Sequence, residues 1–442
     1  MTTILIFLGV LGFLVIVHEL GHLTVAKLRG VQVLEFGLGY PPRLFGFRYR
    51  DTDYTLNLLP LGGFVRMLGE DKAEDPDDPR AFVNKGPFTR LAILAAGATM
   101  NAILPVFLLT IALLIPQDIV VTDVVVTKVA PNAPAEQAGI QPGDVIREVD
   151  GRKIDNSTVL QQAIQVRLGA ESTWLVERDT AQRQVRLVPQ IETPWGAGAT
   201  GIQIANARVS VQSVAFGSLA GSNGLRPGDE LVLIEPIDGG VGHQVIEASD
   251  VAVALEASLL DSRGQGVQVL VLRDGALVTL ALPDDPRALS GATLVERPIE
   301  SRSEPIWRAF PLAFLRMGDI LISFRNELSR ILAGAGDFTI AGPVGIAQIT
   351  GEVANAGISP LITWTALLSI NLAIVNLLPI PALDGGRIVF VLLELARGGR
   401  RLAPEKEQLV HLVGFGVLIG AILLVSVQDI RRIIGGGNPL GG

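Results

Sequence analysis

The stretch "VIVHELGHLTVAK" (residues 15–27) closes an apolar run that begins near Ile4, and it sets two histidines and a glutamate inside that run. Ionisable groups are expensive there. An Asp or Lys at the centre of a spanning helix is disfavoured by about 2.5–3.5 kcal/mol even on the milder insertion scales, so such groups point to function. On a helix, His18 and His22 are four residues apart and share one face, which lets both rings direct a nitrogen at one ion. Glu19 sits beside them, placed to take a proton from water. A polar pair lining a pore or joining two helices would use the same residues. Against that, two of the chain's four histidines fall at this spacing.

The rest of the chain supports a membrane setting. With 442 residues, 49% hydrophobic and 18% charged, and a mean hydropathy of +0.44, it is too apolar for an ordinary soluble protein and too charged to lie wholly in lipid. Four stretches, 4–26, 91–115, 361–378 and 411–430, approach the roughly 20 residues a spanning helix needs. The first lacks a basic leader and a small-residue cleavage site, so it reads as a retained helix. The predicted plan is a first helix over 1–28, a cytoplasmic loop over 29–90 and a second helix over 91–116. A large insert and a linker with a surface helix (291–358) follow, then a third helix over 359–383, a cytoplasmic loop over 384–409 and a fourth helix over 410–433. Lys27, Arg29, Arg43, Arg48, Arg50, Arg66, Lys85 and Arg90 place the first loop in the cytoplasm, and Arg397, Arg400, Arg401 and Lys406 do the same for the last. The insert then faces outward.

Residues 117–305 hold 15 Lys plus Arg against 25 Asp plus Glu, a balance of −10 that excludes nucleic acid as a partner. Cysteine is absent, so no disulfide helps the insert to fold. "APAEQAGIQPGDVIREVDG" (133–151) returns as "SLAGSNGLRPGDELVLIEPIDG" (218–239), which predicts two copies of one small α+β domain, over 117–200 and 201–290. The phrase A-G-[IL]-x-P-G-D resembles bacterial PDZ domains, which take an extended peptide on a sheet edge; a spacer without a peptide ligand is the alternative. "WRAFPLAFLRMGDILISFRNELSRILAG" (307–334) is too charged to span and reads as an amphipathic helix on the outer membrane surface. "YTLNLLPLGGFVRMLGE" (54–70), broken by Pro60, Gly62 and Gly63, reads as a β-hairpin, either interfacial or dipping into the membrane. An acidic linker, 70–80, follows it.

A catalytic zinc site usually has three protein ligands and one open position. Glu35, Glu70 and Asp71 are near in sequence but lie in a polar loop, where a carboxylate needs no explanation. Asp384, in "NLLPIPALDGGR" (376–387), stands in an apolar setting between helix-breaking Pro379 and Pro381 and the pair Gly385–Gly386. Capping the next helix would also account for an Asp there, but not for the preceding Asn and prolines.

H-E-x-x-H in the first helix, N-x-x-P-x-x-x-L-D-G in the third and the PDZ-like pair between helices two and three together resemble the site-2 proteases of the RseP type, along essentially the whole chain. The resemblance implies a polytopic α-helical membrane protein of four transmembrane helices, with two inserted PDZ-like α+β domains and a cytoplasmic membrane-associated β-hairpin. It implies Zn2+ held by His18, His22 and Asp384, and Glu19 as the catalytic carboxylate. Asn376, Asn101 and the hairpin positions Gly62, Gly63 and Phe64 would contact substrate. The activity implied is hydrolysis of peptide bonds in or near the spanning segment of a single-pass membrane protein already cut on its outer side. An anti-sigma factor or a remnant signal peptide is typical, in the inner membrane of a bacterial cell. Two positions depart from the family pattern: Ala98 in "GATMN" (97–101), where Pro is common, and Arg387, where His is frequent. A non-catalytic PDZ scaffold or an ion-path transporter would be the rival readings.

Overall fold

The structure is a computed structural model that describes residues 2–70, 78–191, 198–238, 240–262, 264–332, 334, 341–400 and 404–435. Among these, four helices are long and apolar enough to cross a membrane: Thr2–Leu28, Pro87–Leu114, Ile358–Leu377 and the Lys406–Ile434 part of the last helix. The chain divides into two compact units, one of residues 1–115, 303–318 and 338–442, the other of 116–302 and 319–337.

In the first unit the helices are packed through small and hydroxylated residues. Ser369 and Ser359 of the third spanning helix donate to the carbonyls of Asn101 (2.8 Å) and Ala112 (3.0 Å) of the second. Such contacts suit an apolar bundle, where association rests on close packing and interhelical hydrogen bonds. Pro379 and Pro381 stop the third helix at Leu377. The cytoplasmic loop expected over 384–409 is, in its first part, a helix, Asp384–Ala396, whose apolar side buries Val391. It is tied to the second helix by a buried ion pair, Arg90 to Glu394, at 2.7 Å.

The hairpin is also larger than the sequence pattern suggested. Strand Val33–Tyr49 pairs with strand Thr52–Met67, so the partner of the 54–70 segment lies upstream of it. Val33–Leu38 faces Gly63–Met67 from one side and Asp53–Leu56 from the other, while Arg43–Tyr49 pairs with Thr52–Asn57. Its base shares a core with the first two helices through Leu23, Ala26, Val31, Val33, Val65, Met67 and Ile93. Part of the acidic linker, 71–77, lies outside the described residues.

In the second unit the repeated sequences adopt one topology twice. Strands Ala181–Leu187, Ser172–Arg178, Val145–Val149, Asp123–Val129 and Ile202–Ala207 form one sheet in that order. Ala276–Leu282, Val267–Arg273, Glu230–Pro236, Val209–Val214 and Ala292–Glu296 form the other. Each repeat carries one long helix, Ser157–Val166 or Asp250–Asp261. The P-G-D phrase has the same task in both. Asp144 and Asp229 are buried, and Arg178 and Arg273 from the strand hairpin grip them at 2.6 and 2.7 Å while donating to the carbonyls of Gly139 and Gly224. Strand Ile202–Ala207 pairs with Asp123–Val129, so the first repeat runs past the expected boundary at 200, and Ala292–Glu296 likewise carries the second past 290. The repeat phrase could not reveal this, because each closing strand lies far downstream of it. Helix Ile306–Leu332 contributes its second half here, where Asp319 pairs with Arg152 and Asn326 donates to the carbonyl of Gln165.

The repeats are joined by an ion network. Arg297 of the second binds Asp123 of the first and its own Glu230, both at 2.6 Å, and Arg147 bridges Asp123 to Glu177. Burial pushes the Asp123 carboxyl up, but the hydrogen bonds and charges of Arg297 and Arg147 outweigh it and hold the group below the ordinary range. A folded value below the unfolded one gives stabilisation that is full above the unfolded value, about 3.9, and is lost as pH falls through the folded value. Acid titration followed by emission from buried Trp174 should therefore show stability falling below about pH 4, with a flatter slope in Arg297→Ala; equal slopes would remove this account.

Candidate metal centre

His18 and His22 lie on the face of the first spanning helix turned to the second, and both are buried, at 8% and 7% exposure. Asp384 comes from the start of its helix, 366 residues after His18. Gly385 and Gly386 bring it close: an added Cβ would meet the carbonyl oxygens of Leu378 at 2.1 Å and Ile380 at 2.5 Å. The donor atoms form a small triangle. His18 Nε2 is 3.0 Å from Asp384 Oδ2, His22 Nε2 is 3.3 Å from the same oxygen, and the two ring nitrogens are 3.2 Å apart.

Whether this set fits a zinc ion can be tested on its own dimensions. Zn–N and Zn–O bonds of 2.0–2.2 Å in a tetrahedron separate neighbouring donors by about 3.3–3.6 Å, close to the three edges observed. His22 Nδ1 donates to the carbonyl of Ile93 at 2.8 Å, which leaves Nε2 with its lone pair for the ion. On one side of the triangle stands Gly97 of the second helix, where a Cβ would lie 2.4 Å from His22 Nε2 and 2.6 Å from His18 Nε2. The residues fit the metal, and a side chain at position 97 would crowd both donor nitrogens.

Comparison with known proteins agrees with this chemistry. The profile of Peptidase family M50 matches residues 6–421. The chain belongs to this family. It is similar to the zinc metalloprotease RasP of Geobacillus kaustophilus, 29% identical over 462 aligned positions covering 97% of this chain and 98% of that one. It is also similar to the regulator of sigma E protease of Salmonella typhi, 29% identical with 96% of each chain covered. A putative zinc metalloprotease of Thermotoga maritima is 25% identical, covering 98% and 99%.

The other residues singled out in this M50 chain are distributed around the triangle. Glu19 is half-buried and makes no hydrogen bond among the described residues. Gly63 faces it from the hairpin: a Cβ there would sit 2.8 Å from Val15 and 3.0 Å from Glu19 Cγ. Gly62 takes a φ of 117° beside Tyr40, whose ring stacks on Phe64. Asn376 is half-buried, with its amide free of hydrogen bonds among the described residues. Asn101 is wholly buried, its Nδ2 3.3 Å from His18 Nδ1, and its Oδ1 is buried without a partner among the described residues. Among the described residues, the alternative carboxylates Glu35 and Glu70 do not join the triangle. Glu35 accepts from Thr55 at 2.9 Å, Glu70 pairs with Arg387, and Asp71 lies outside the described residues.

Nothing in the local sequence pattern marks Gly97 or Gly21 as part of the site. A Cβ at 21 would meet the Ala96 carbonyl at 2.4 Å, so the two glycines allow the first two helices to touch. The small run "AAGA" (95–98) is a signal for close helix packing alone. Gly97→Ala should reduce bound zinc in the purified protein to near background while Gly9→Ala, with nothing within 4 Å, leaves it intact; metal analysis showing full occupancy in Gly97→Ala would contradict the arrangement.

Proposed function

We propose that the chain is an intramembrane zinc metalloprotease that holds its metal through His18, His22 and Asp384 and hydrolyses peptide bonds in or near the spanning segment of a membrane protein. The observation that carries this reading is the donor triangle, with edges of 3.0, 3.2 and 3.3 Å, two of whose corners stand on a helix apolar enough to span. Zinc bound there supplies Lewis acidity toward a carbonyl and activates water near neutral pH.

The chain's own groups do the rest. Glu19 Oε accepts the proton of the attacking water and returns it to the leaving amine. Asn101 holds His18: with its amide turned by half a turn, Oδ1 accepts a hydrogen bond from His18 Nδ1–H, which leaves Nε2 with its lone pair for the metal. A helical substrate hides its carbonyls in its own hydrogen bonds and must unwind before attack. Gly63–Met67 has a strand partner on one side only, among the described residues, and runs beside Glu19, so an extended substrate can add to it. The Asn376 amide is available to the same backbone. Exposed Tyr40, Leu44, Phe45, Phe47, Tyr49 and Leu58 suit a hairpin that enters the membrane.

The family relatives are bacterial, which supports the inner membrane as the location, with the hairpin cytoplasmic and the insert outside. The two repeats act as PDZ-like modules that screen substrates trimmed on their outer side. A cavity of about 660 Å³ supports a peptide-sized ligand: Gln161, Ile164 and Gln165 of one helix face strand residues Ile202–Ile204 across it, with Gln244 of the second repeat. Exposed Trp307, Phe310 and Phe314 suit contact of their helix with the outer membrane surface.

The test is cleavage of a single-pass reporter, already trimmed on its outer side, in membranes holding the wild type or Glu19→Gln. Loss of the base should slow cleavage by about 10²- to 10⁴-fold with zinc retained. Equal cleavage by both would overturn the assignment of Glu19.

A further inference from the structure

The chain segment that delivers Asp384 is pinned by the fourth spanning helix, an element with no donor in the metal triangle. His411 Nδ1 accepts the backbone N–H of Ala382 at 2.9 Å. Ala382 has a φ of +79°, a left-handed conformation that an L-residue with a side chain rarely adopts and that persists where its surroundings enforce it. One turn along the same helix, Gly414 lies against Pro381: a Cβ there would be 2.3 Å from Pro381 Cβ and 3.0 Å from its carbonyl oxygen. The His411 ring also rests on Phe390, one and a half turns into the helix that Asp384 opens, with centroids 5.3 Å apart.

We infer that His411 and Gly414 are positioning residues for the metal centre, fixing the Pro381–Ala382 bend so that the Asp384 carboxylate reaches His18 and His22. The inference rests on Asp384 being a ligand. Pro379 and Pro381 remove backbone donors from this segment; the Leu383 N–H closes a turn on the Ile380 carbonyl at 3.2 Å with Pro381 and Ala382 at its centre, and the positive φ that this turn asks of Ala382, unfavourable for a residue with a side chain, is supported by contacts from outside it. Here the fourth helix supplies both an acceptor and a wall. Displacement of the bend would move Asp384 away from the two imidazoles, because only Leu383 separates them.

The experiment uses the full chain in detergent, with zinc affinity read by competition against a chromophoric chelator and reporter cleavage measured in parallel. His411→Leu and Gly414→Val should weaken zinc binding about 10- to 100-fold, the range found when partners that orient ligands are removed. His411→Asn, which keeps an acceptor at similar reach, should stay near the wild type. Ala382→Gly added to His411→Leu should recover much of the affinity, since glycine takes a positive φ unaided; a merely structural role for His411 would show no such recovery. Gly416→Val and Gly420→Val, on the same helix with nothing within 4 Å, should bind zinc normally. Wild-type zinc affinity in His411→Leu and Gly414→Val, with Asp384→Asn impaired, overturns the inference alone; if Gly414→Val does not accumulate, His411→Leu and its glycine suppressor decide it. Wild-type affinity in Asp384→Asn removes the ligand reading, and this inference with it.

Discussion

Two imidazoles and a carboxylate held within 3.3 Å of one another in an apolar bundle are the constraint around which the membrane unit is arranged. Each group loses hydration there, and uncompensated burial of charge is costly enough that a partner must be supplied for every lone pair and proton. The Ile93 carbonyl takes the His22 Nδ1 proton, Asn101 meets His18, and Ser369 in turn holds the Asn101 carbonyl. Helices one, two and three are thereby fixed with respect to the triangle by polar contacts, while small residues at 21 and 97 let them approach. Packing and polar satisfaction work at the same place.

How much of this was legible in the sequence depended on how local each signal was. The His18–His22 spacing, the neighbouring Glu19 and the anomalous Asp384 could be read directly, because each stands out against apolar surroundings within a few residues. Four apolar runs were enough for the spanning helices. Relations between distant segments leave no such local mark: Gly97 opposing two histidine nitrogens, Arg90 meeting Glu394, and a closing strand at 202–207 that pairs back to 123–129. The hairpin was underestimated for the same reason. Its partner strand, Val33–Tyr49, carries Gly, two prolines and two arginines and shows no clean alternation, so nothing marked it as half of a sheet.

The insert shows a different economy. Repetition of P-G-D carried one buried ion pair into both copies, Asp144 with Arg178 and Asp229 with Arg273, and in each case the arginine also satisfies the glycine carbonyl that ends the short helix. Breaking such a pair by removing one partner strands a buried charge, at a cost of about 3–5 kcal/mol. A shared apolar cluster, including Val125, Val145, Ala205, Val232, Leu233 and Leu270, then joins the copies. With no cysteine in the chain, these pairs and this cluster hold the copies without any disulfide.

Arg387, one of the two departures from the family pattern, acquires a meaning from its partner. Glu70, which sequence proximity made a candidate ligand, pairs with Arg387 and also accepts the backbone N–H of Met67 at the end of the hairpin strand. One carboxylate therefore connects the strand that carries Gly63 past Glu19 to the helix that begins with Asp384. Arginine suits this task better than lysine, since its planar fork is preorganised and stays charged when partly buried. The edge strand beside Glu19 and the helix that opens with Asp384 are thus tied through one ion pair, and the hairpin is anchored to the same part of the bundle as the triangle.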